Sequence, residues 1–161
     1  MRESLSVPTP WGDLVAVAEN GALVRICLPG DKPEEPVTGS RDPLLKKAAS
    51  ELQEYFSGRR REFDLPLNPA GTVFQQKVWR ELCRIPYGTV ETYGEIARRL
   101  GIPHGARAIG QANHRNPIPI IIPCHRVTAA GNKIGGYGGG IELKIRLLAL
   151  EGVTGLIPPI R

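Results

Sequence analysis

Residues 92–115 read TYGEIARRLGIPHGARAIGQANHR. Thr92 and Glu95 have the spacing of a capping box, so a helix opens here. Ile96 and Leu100 fall on its inner face, and Gly101 supplies the stop. After the tight GIPHG turn, ARAIGQANHR places Ala108, Ile109 and Ala112 on an apolar side. Helix, short glycine-containing turn, helix is the pattern of a DNA-binding helix-turn-helix, although an αα-hairpin in a core has the same outline. Arg98, Arg99, Arg107 and Arg115 lie on or near it and favour the first reading.

The surrounding charge points the same way. The 161 residues carry a net charge of +5, unevenly spread. Residues 1–71 hold nine Lys/Arg against eleven Asp/Glu, and residues 72–161 hold twelve against five. A basic half suits a polyanion, most simply nucleic acid. With 41% hydrophobic and 23% charged residues, a packed core is expected and wholesale disorder is excluded. No apolar run reaches the length of a membrane span, and MRESLSVPTPWGD is not a secretory signal. A soluble cytoplasmic protein without a membrane partner is expected. Cys27, Cys83 and Cys124 are odd in number and widely spaced, which predicts no disulfide framework, no metal and no cofactor.

The first half reads as α+β. DLVAVAENGALVRICL is a hairpin around Asn20-Gly21, with Cys27 packed in its second strand. PGDKPEEPVTGSRD is a polar loop. Asp42 caps a helix that starts at Pro43, buries Leu45, Ala48, Leu52 and Phe56, and stops at Gly58. EFDLPL, residues 62–67, predicts a third strand, and NPAG, residues 68–71, a domain boundary. The second half is helical. Thr72 and Gln75 box a helix with Phe74, Val78 and Leu82, and IPYG ends it near Cys83, expected as a packing residue. A last helix runs from about Ile141 to Leu150, with Leu147, Leu148 and Leu150 inward, and Gly152 closes it. The architecture expected is a 1–71 α+β domain with an antiparallel sheet and a 72–161 helical domain.

The chemistry concentrates in IIIPCHRVTAAGNKIGGYGGG, residues 120–140. An apolar run ends at Pro123, and Cys124, His125 and Arg126 follow. A thiol attacks only as thiolate, and a free Cys is a few per cent ionised at pH 7. A neighbouring His can take the proton, and Arg126 is expected to favour the anion. Adjacent residues share a site only on a turn or helix start. The alternative is a Cys124 that is merely a small buried hydrophobe. The imidazole needs an orienting carboxylate. Glu81 and Glu95 are expected to face out, Glu91 lies in an extended piece and Glu142 opens the last helix. Glu151 closes that helix, where the dipole disfavours an acid. It is either the partner of His125 or a solvated end residue.

At this point NPIPIIIPCHRV, with GTVETYGEIARRLG, ARAIGQANHRNP, GYGGG and LALEG, resembles the O6-alkylguanine-DNA alkyltransferase family across most of residues 72–152. The resemblance implies a ribonuclease H-like N-terminal domain and a winged-helix-like C-terminal one. It implies base flipping in the minor groove and irreversible transfer of the alkyl group from O6-alkylguanine in double-stranded DNA to Cys124, one turnover per molecule. The catalytic set is then Cys124, His125, Glu151, Tyr93 and Asn116. Tyr93 would give a proton toward guanine N3, and Asn116 would tie the active-site segment in place. DNA contacts fall to Ala106, Arg107 as the stacking finger, Gln111, Asn113, Arg115 and Tyr93. Pro119, Val127, Tyr137, Gly138 and Gly139 would shape the pocket, with the Cys124 and Val127 carbonyls accepting from the guanine amine. His114 reads as a solvated surface imidazole. A monomer is implied, with cooperative binding along DNA left open. The alternative within the same resemblance is a lesion sensor that binds without transfer.

Overall fold

The computed structural model describes residues 2–158. They form two compact units, residues 2–70 with Pro117–Pro119, and residues 71–116 with 120–158.

The N-terminal unit is a three-stranded antiparallel meander, β1 (Arg2–Thr9), β2 (Gly12–Glu19) and β3 (Ala22–Cys27), in the order β1-β2-β3. Asn20 and Gly21 sit at φ 52° and 79°, the positive pair that a type I′ turn requires. β2 is apolar on both faces. Leu14, Ala16 and Ala18 are 0–2% exposed, while Val15 and Val17 join Cys27 in a separate cluster. Helix α1 (Pro43–Phe56) packs on β1 and β2. It begins as expected, with the Asp42 carboxylate accepting from Leu44 N–H, and buries Leu45, Ala48, Leu52, Tyr55 and Phe56. Each such large side chain contributes roughly 1.5–3 kcal/mol.

The third strand is not EFDLPL. Only Leu67 of that segment bridges to Leu23, in parallel, and β1 supplies the third strand. Pro66 has no N–H to give a ladder. Its carbonyl accepts from Leu23 N–H, Asn68 N–H donates back to Leu23, and the pairing ends there.

The C-terminal unit contains α2 (Val73–Leu82), β4 (Glu91–Thr92), α3 (Tyr93–Arg99), α4 (Ala106–His114), β5 (Val127–Thr128) and α5 (Ile141–Leu150). Both capping boxes form, Thr72 with Gln75 and Thr92 with Glu95. α3 and α4 pack together as the helix-turn-helix, and α2 supports α4. Trp79 of α2 is 2% exposed, and its indole N–H donates to the Ala112 carbonyl at 2.9 Å. β4 and β5 pair in parallel, Glu91 with Val127 and Thr92 with Thr128. The segment after α5 does not hang free at Ile157. Ile157 bridges to Lys133, and its N–H and carbonyl bond Asn132 and Ile134. Residues 159–161 of the VTGLIPPIR tail lie outside the described residues.

Candidate active site

Every residue from Ile118 to Thr128 is buried. The chain between α4 and β5 therefore needs internal partners for its backbone, and two asparagines supply them. Asn116 Nδ2 donates to the Ile122 carbonyl at 2.8 Å. Asn113 Nδ2 donates to the Cys124 carbonyl at 3.3 Å. Cys124, His125 and Arg126 form a single 3-10 turn, the local shape that the dipeptide requires for neighbouring residues to serve one site. Arg126 N–H closes the turn onto the Pro123 carbonyl at 3.0 Å. Before it, Ile120 is held at φ 73°, a left-handed conformation that a β-branched residue resists.

His125 is fully buried, and its Nε2 lies 2.7 Å from Glu151 Oε2. Glu151 is the C-cap of α5, and its position against the dipole is explained by its donors. Besides His125 it accepts from Arg126 Nε at 2.8 Å, Arg126 Nη2 at 3.1 Å and Gly88 N–H at 3.3 Å. The solvated alternative for Glu151 is excluded. Arg126 does not face the thiol as expected. It is spent on Glu151 and on the Ile85 carbonyl at 2.8 Å, and stacks over Tyr87 at 5.7 Å. His125 and Arg126 converge on Glu151, and the buried carboxylate captures the guanidinium.

Cys124 is 5% exposed. Burial pushes its thiol up, while hydrogen bonds from Asn116 and Tyr137 and the charge of Lys144 pull it down. The net direction is upward, so the sulfur needs a base. Burial lowers His125 more than Glu151 raises it, and the imidazole is neutral at neutral pH and able to accept.

Tyr93 opens α3, and the Gly136 N–H bonds its oxygen. Burial raises its pKa, and the nearby Cys124 adds to the rise, so it stays a phenol and a proton donor. Gly135, at φ 76°, allows this approach. A Cβ there would stand 2.9 Å from the Tyr93 oxygen. Val127 is fully buried, Tyr137 is half-buried, and Gly138 and Gly139 are exposed. A Cβ on Gly138 would lie 3.6 Å from the exposed His114 ring. Pro119 is buried and groups with the N-terminal unit.

Ala106, Arg107 and Gln111 of α4 and its C-cap, Arg115, are exposed. With Tyr93 and Phe74 they line an open groove of about 990 Å³. Asn113, expected on that face, points inward at 5% exposure. Arg99 is taken by Glu91 at 2.6 and 2.7 Å and by Glu81 at 3.0 Å, which also leaves Glu81 less exposed than expected, at 13%. Cys83, expected to pack, is an exposed C-cap.

Sequence reasoning missed Lys144. It is 0% exposed, and its Nζ donates to the Val127 carbonyl at 2.6 Å and the Gly136 carbonyl at 3.0 Å. The signal was available, because Lys144 stands three and four residues before Leu147 and Leu148, on the inner face of α5.

Two family models match the chain. The 6-O-methylguanine DNA methyltransferase ribonuclease-like domain matches residues 6–69, and the DNA binding domain of the same family matches residues 73–153. A methylated-DNA–protein-cysteine methyltransferase of Mycobacterium bovis is 55% identical over 148 residues, 91% of this chain and 90% of the relative. A constitutive one of Bacillus subtilis is 41% identical over 153 residues, 91% of this chain and 93% of the relative. A Mycobacterium tuberculosis OGT, crystallised in complex with DNA, superposes with a TM-score of 0.83 at 43% identity, covering 92% of each chain. The helix-turn-helix, the buried Cys-His-Glu arrangement and these likenesses agree, and the chain belongs to the 6-O-methylguanine DNA methyltransferase family.

Proposed function

We propose that this protein repairs DNA directly, by moving the alkyl group of O6-alkylguanine onto Cys124 in a single, irreversible turnover. The observation that carries the reading is the buried His125–Glu151 pair at 2.7 Å on the turn that bears the thiol. A raised thiol beside a neutral, carboxylate-held imidazole is an acceptor awaiting deprotonation.

The residues divide the work as follows. Glu151 fixes the orientation of His125 and is itself held by Arg126. His125 takes the Cys124 proton through a water. The thiolate attacks the alkyl carbon in line, the S–C bond forms, and the C–O6 bond breaks with its electron pair going to the purine. Tyr93, whose oxygen already accepts from Gly136, donates its proton toward guanine N3 and relieves that charge. Asn116 acts through the Ile122 carbonyl and the sulfur. Ala106, Arg107, Gln111 and Arg115 present the outer side of α4 to the minor groove, and Arg107 replaces the flipped base in the stack. Val127, Tyr137, Gly138 and Gly139 form the base pocket. Residues 72–161 carry binding and transfer, and residues 1–71 support them. The protein acts as a monomer in the cytoplasm.

The test is intact-protein mass after incubation with a duplex carrying one O6-methylguanine, followed by peptide mapping. A gain of one methylene on the Cys124 peptide, lost in Cys124→Ala, is the expected result. Tight lesion binding at unchanged mass would make the protein a sensor and overturn transfer.

A further inference from the structure

The reaction as written makes no use of Lys144. Its ammonium is fully buried at the side of α5 that carries Leu147 and Leu148. Its two acceptors belong to different parts of the site. Val127 is the residue that follows the nucleophile turn, and Gly136 stands in the glycine loop. Gly136 also gives its N–H to the Tyr93 oxygen. One lysine thus links α5, the turn, the loop and, through Gly136, the first residue of α3.

Such a burial is costly. Desolvation lowers the Lys144 pKa from 10.5 to about 8, against a smaller upward pull from Cys124. Between those values the unfolded chain binds the extra proton, so stability rises with pH across that window, and the full penalty is present at neutral pH. A methionine would fill nearly the same volume without it. Packing alone therefore does not account for a lysine here.

We propose that Lys144 is a positioning residue for alkyl transfer, clamping the Val127 and Gly136 carbonyls so that the glycine loop and Tyr93 are held to the nucleophile turn, and keeping a positive charge toward the Cys124 sulfur. The inference rests on the transfer to Cys124 proposed above. The charge acts in a dry environment, where it is weakly screened. The titratable groups that feel its charge are Cys124 and His125 of the turn; His125 in turn meets the Arg126–Glu151 pair, Tyr93 bonds Gly136, and Tyr137 bonds the Cys124 sulfur. Glu142 and Arg146 of its own helix are exposed.

The test uses the full chain with Cys83→Ser, adding Lys144→Met or Lys144→Arg. Two rates are followed: Cys124 alkylation by iodoacetamide against pH, and single-turnover transfer from an O6-methylguanine duplex. Lys144→Met is expected to move the alkylation midpoint about one unit more alkaline, the size that a lost neighbouring charge gives. It should slow transfer about tenfold or more at neutral pH, and Lys144→Arg should restore the midpoint. An unchanged midpoint, or transfer at the parental rate, overturns the proposal. Iodoacetamide needs no DNA, so a chain that failed to repair would still report the midpoint. Should Lys144→Met not fold, the parental protein with 13C-labelled lysine is titrated before and after S-alkylation. Loss of the thiolate must lower the Lys144 midpoint, and equal midpoints overturn the coupling.

Discussion

Glu51 in the N-terminal unit and Glu151 in the C-terminal unit are nearly closed to solvent, at 3% and 5% exposure, yet they keep different company. Glu51 accepts the Asp64 N–H at 2.9 Å, while its cationic neighbours stand off, Arg60 at 3.6 Å and Lys47 at 3.8 Å. Those cations are 29% and 50% exposed and find water readily. Glu151 is enclosed together with its partners, and His125 and Arg126 are 0% and 8% exposed in their side chains. The first acid fastens a loop to α1. The second closes a charged cluster that has no solvent to fall back on. The depth of an acid says little about its role, and the depth of its partners says more.

Glu151→Gln tests the difference most severely. The amide keeps the shape but leaves Arg126 without a counter-charge and gives His125 a poorer partner. Loss of one member of a buried pair costs about 3–5 kcal/mol, read as the urea midpoint. Transfer in a single-turnover quench should fall by about 10²-fold or more, as for other orienting acids. If stability drops and transfer does not, Glu151 is structural like Glu51.

The next effect is in pH. His125 is pushed below its ordinary value by burial, so its contribution to stability is complete above the unfolded histidine pKa. That contribution is lost as pH falls below about 6.5, where the unfolded chain takes a proton first, with a slope of at most about 1.4 kcal/mol per pH unit. Urea titrations from neutral to mildly acid pH should show this slope in the parental protein and a flatter one in His125→Asn. Equal slopes would mean that His125 is not the group responsible.

The smallest effect belongs to Glu51→Gln. The Asp64 N–H keeps an acceptor, so the loss should be about 1 kcal/mol, with transfer unchanged. A fall in transfer at constant stability would end the contrast between the two acids.

The helix-turn-helix, the hairpin and α1 were legible because their signals are local. Capping boxes, an Asn-Gly pair and an Asp-Pro start each act within a few residues, and all formed. β1 was not legible. Ser4 and Ser6 break its apolar pattern, and Ser4 is buried because it bonds Thr38, thirty-four residues away. EFDLPL has the composition of a strand and was undone by the missing N–H of Pro66. At the site, Cys124, His125 and Glu151 could be read from their types and their odd places. The partner of Arg126 could not, since spacing does not say which way a 3-10 turn aims each side chain. Lys144 was passed over because a lysine usually lies at the surface.

Helix α4 and its C-cap, Arg115, have an outside and an inside. Arg107, Gln111 and Arg115 are exposed, while Asn113 reaches the Cys124 carbonyl and the carbonyl of Ala112 receives Trp79. The exposed face and the face that holds the Cys124 backbone are thus opposite sides of one rod, about 10 Å across. Errors of placement add up joint by joint along a chain of parts. Here one rigid element separates the two faces, so a register set by DNA on the outer one, in the proposed function, is carried to the Cys124 backbone with little slack. Loosening Asn113 would blur the alignment without touching any group that reacts.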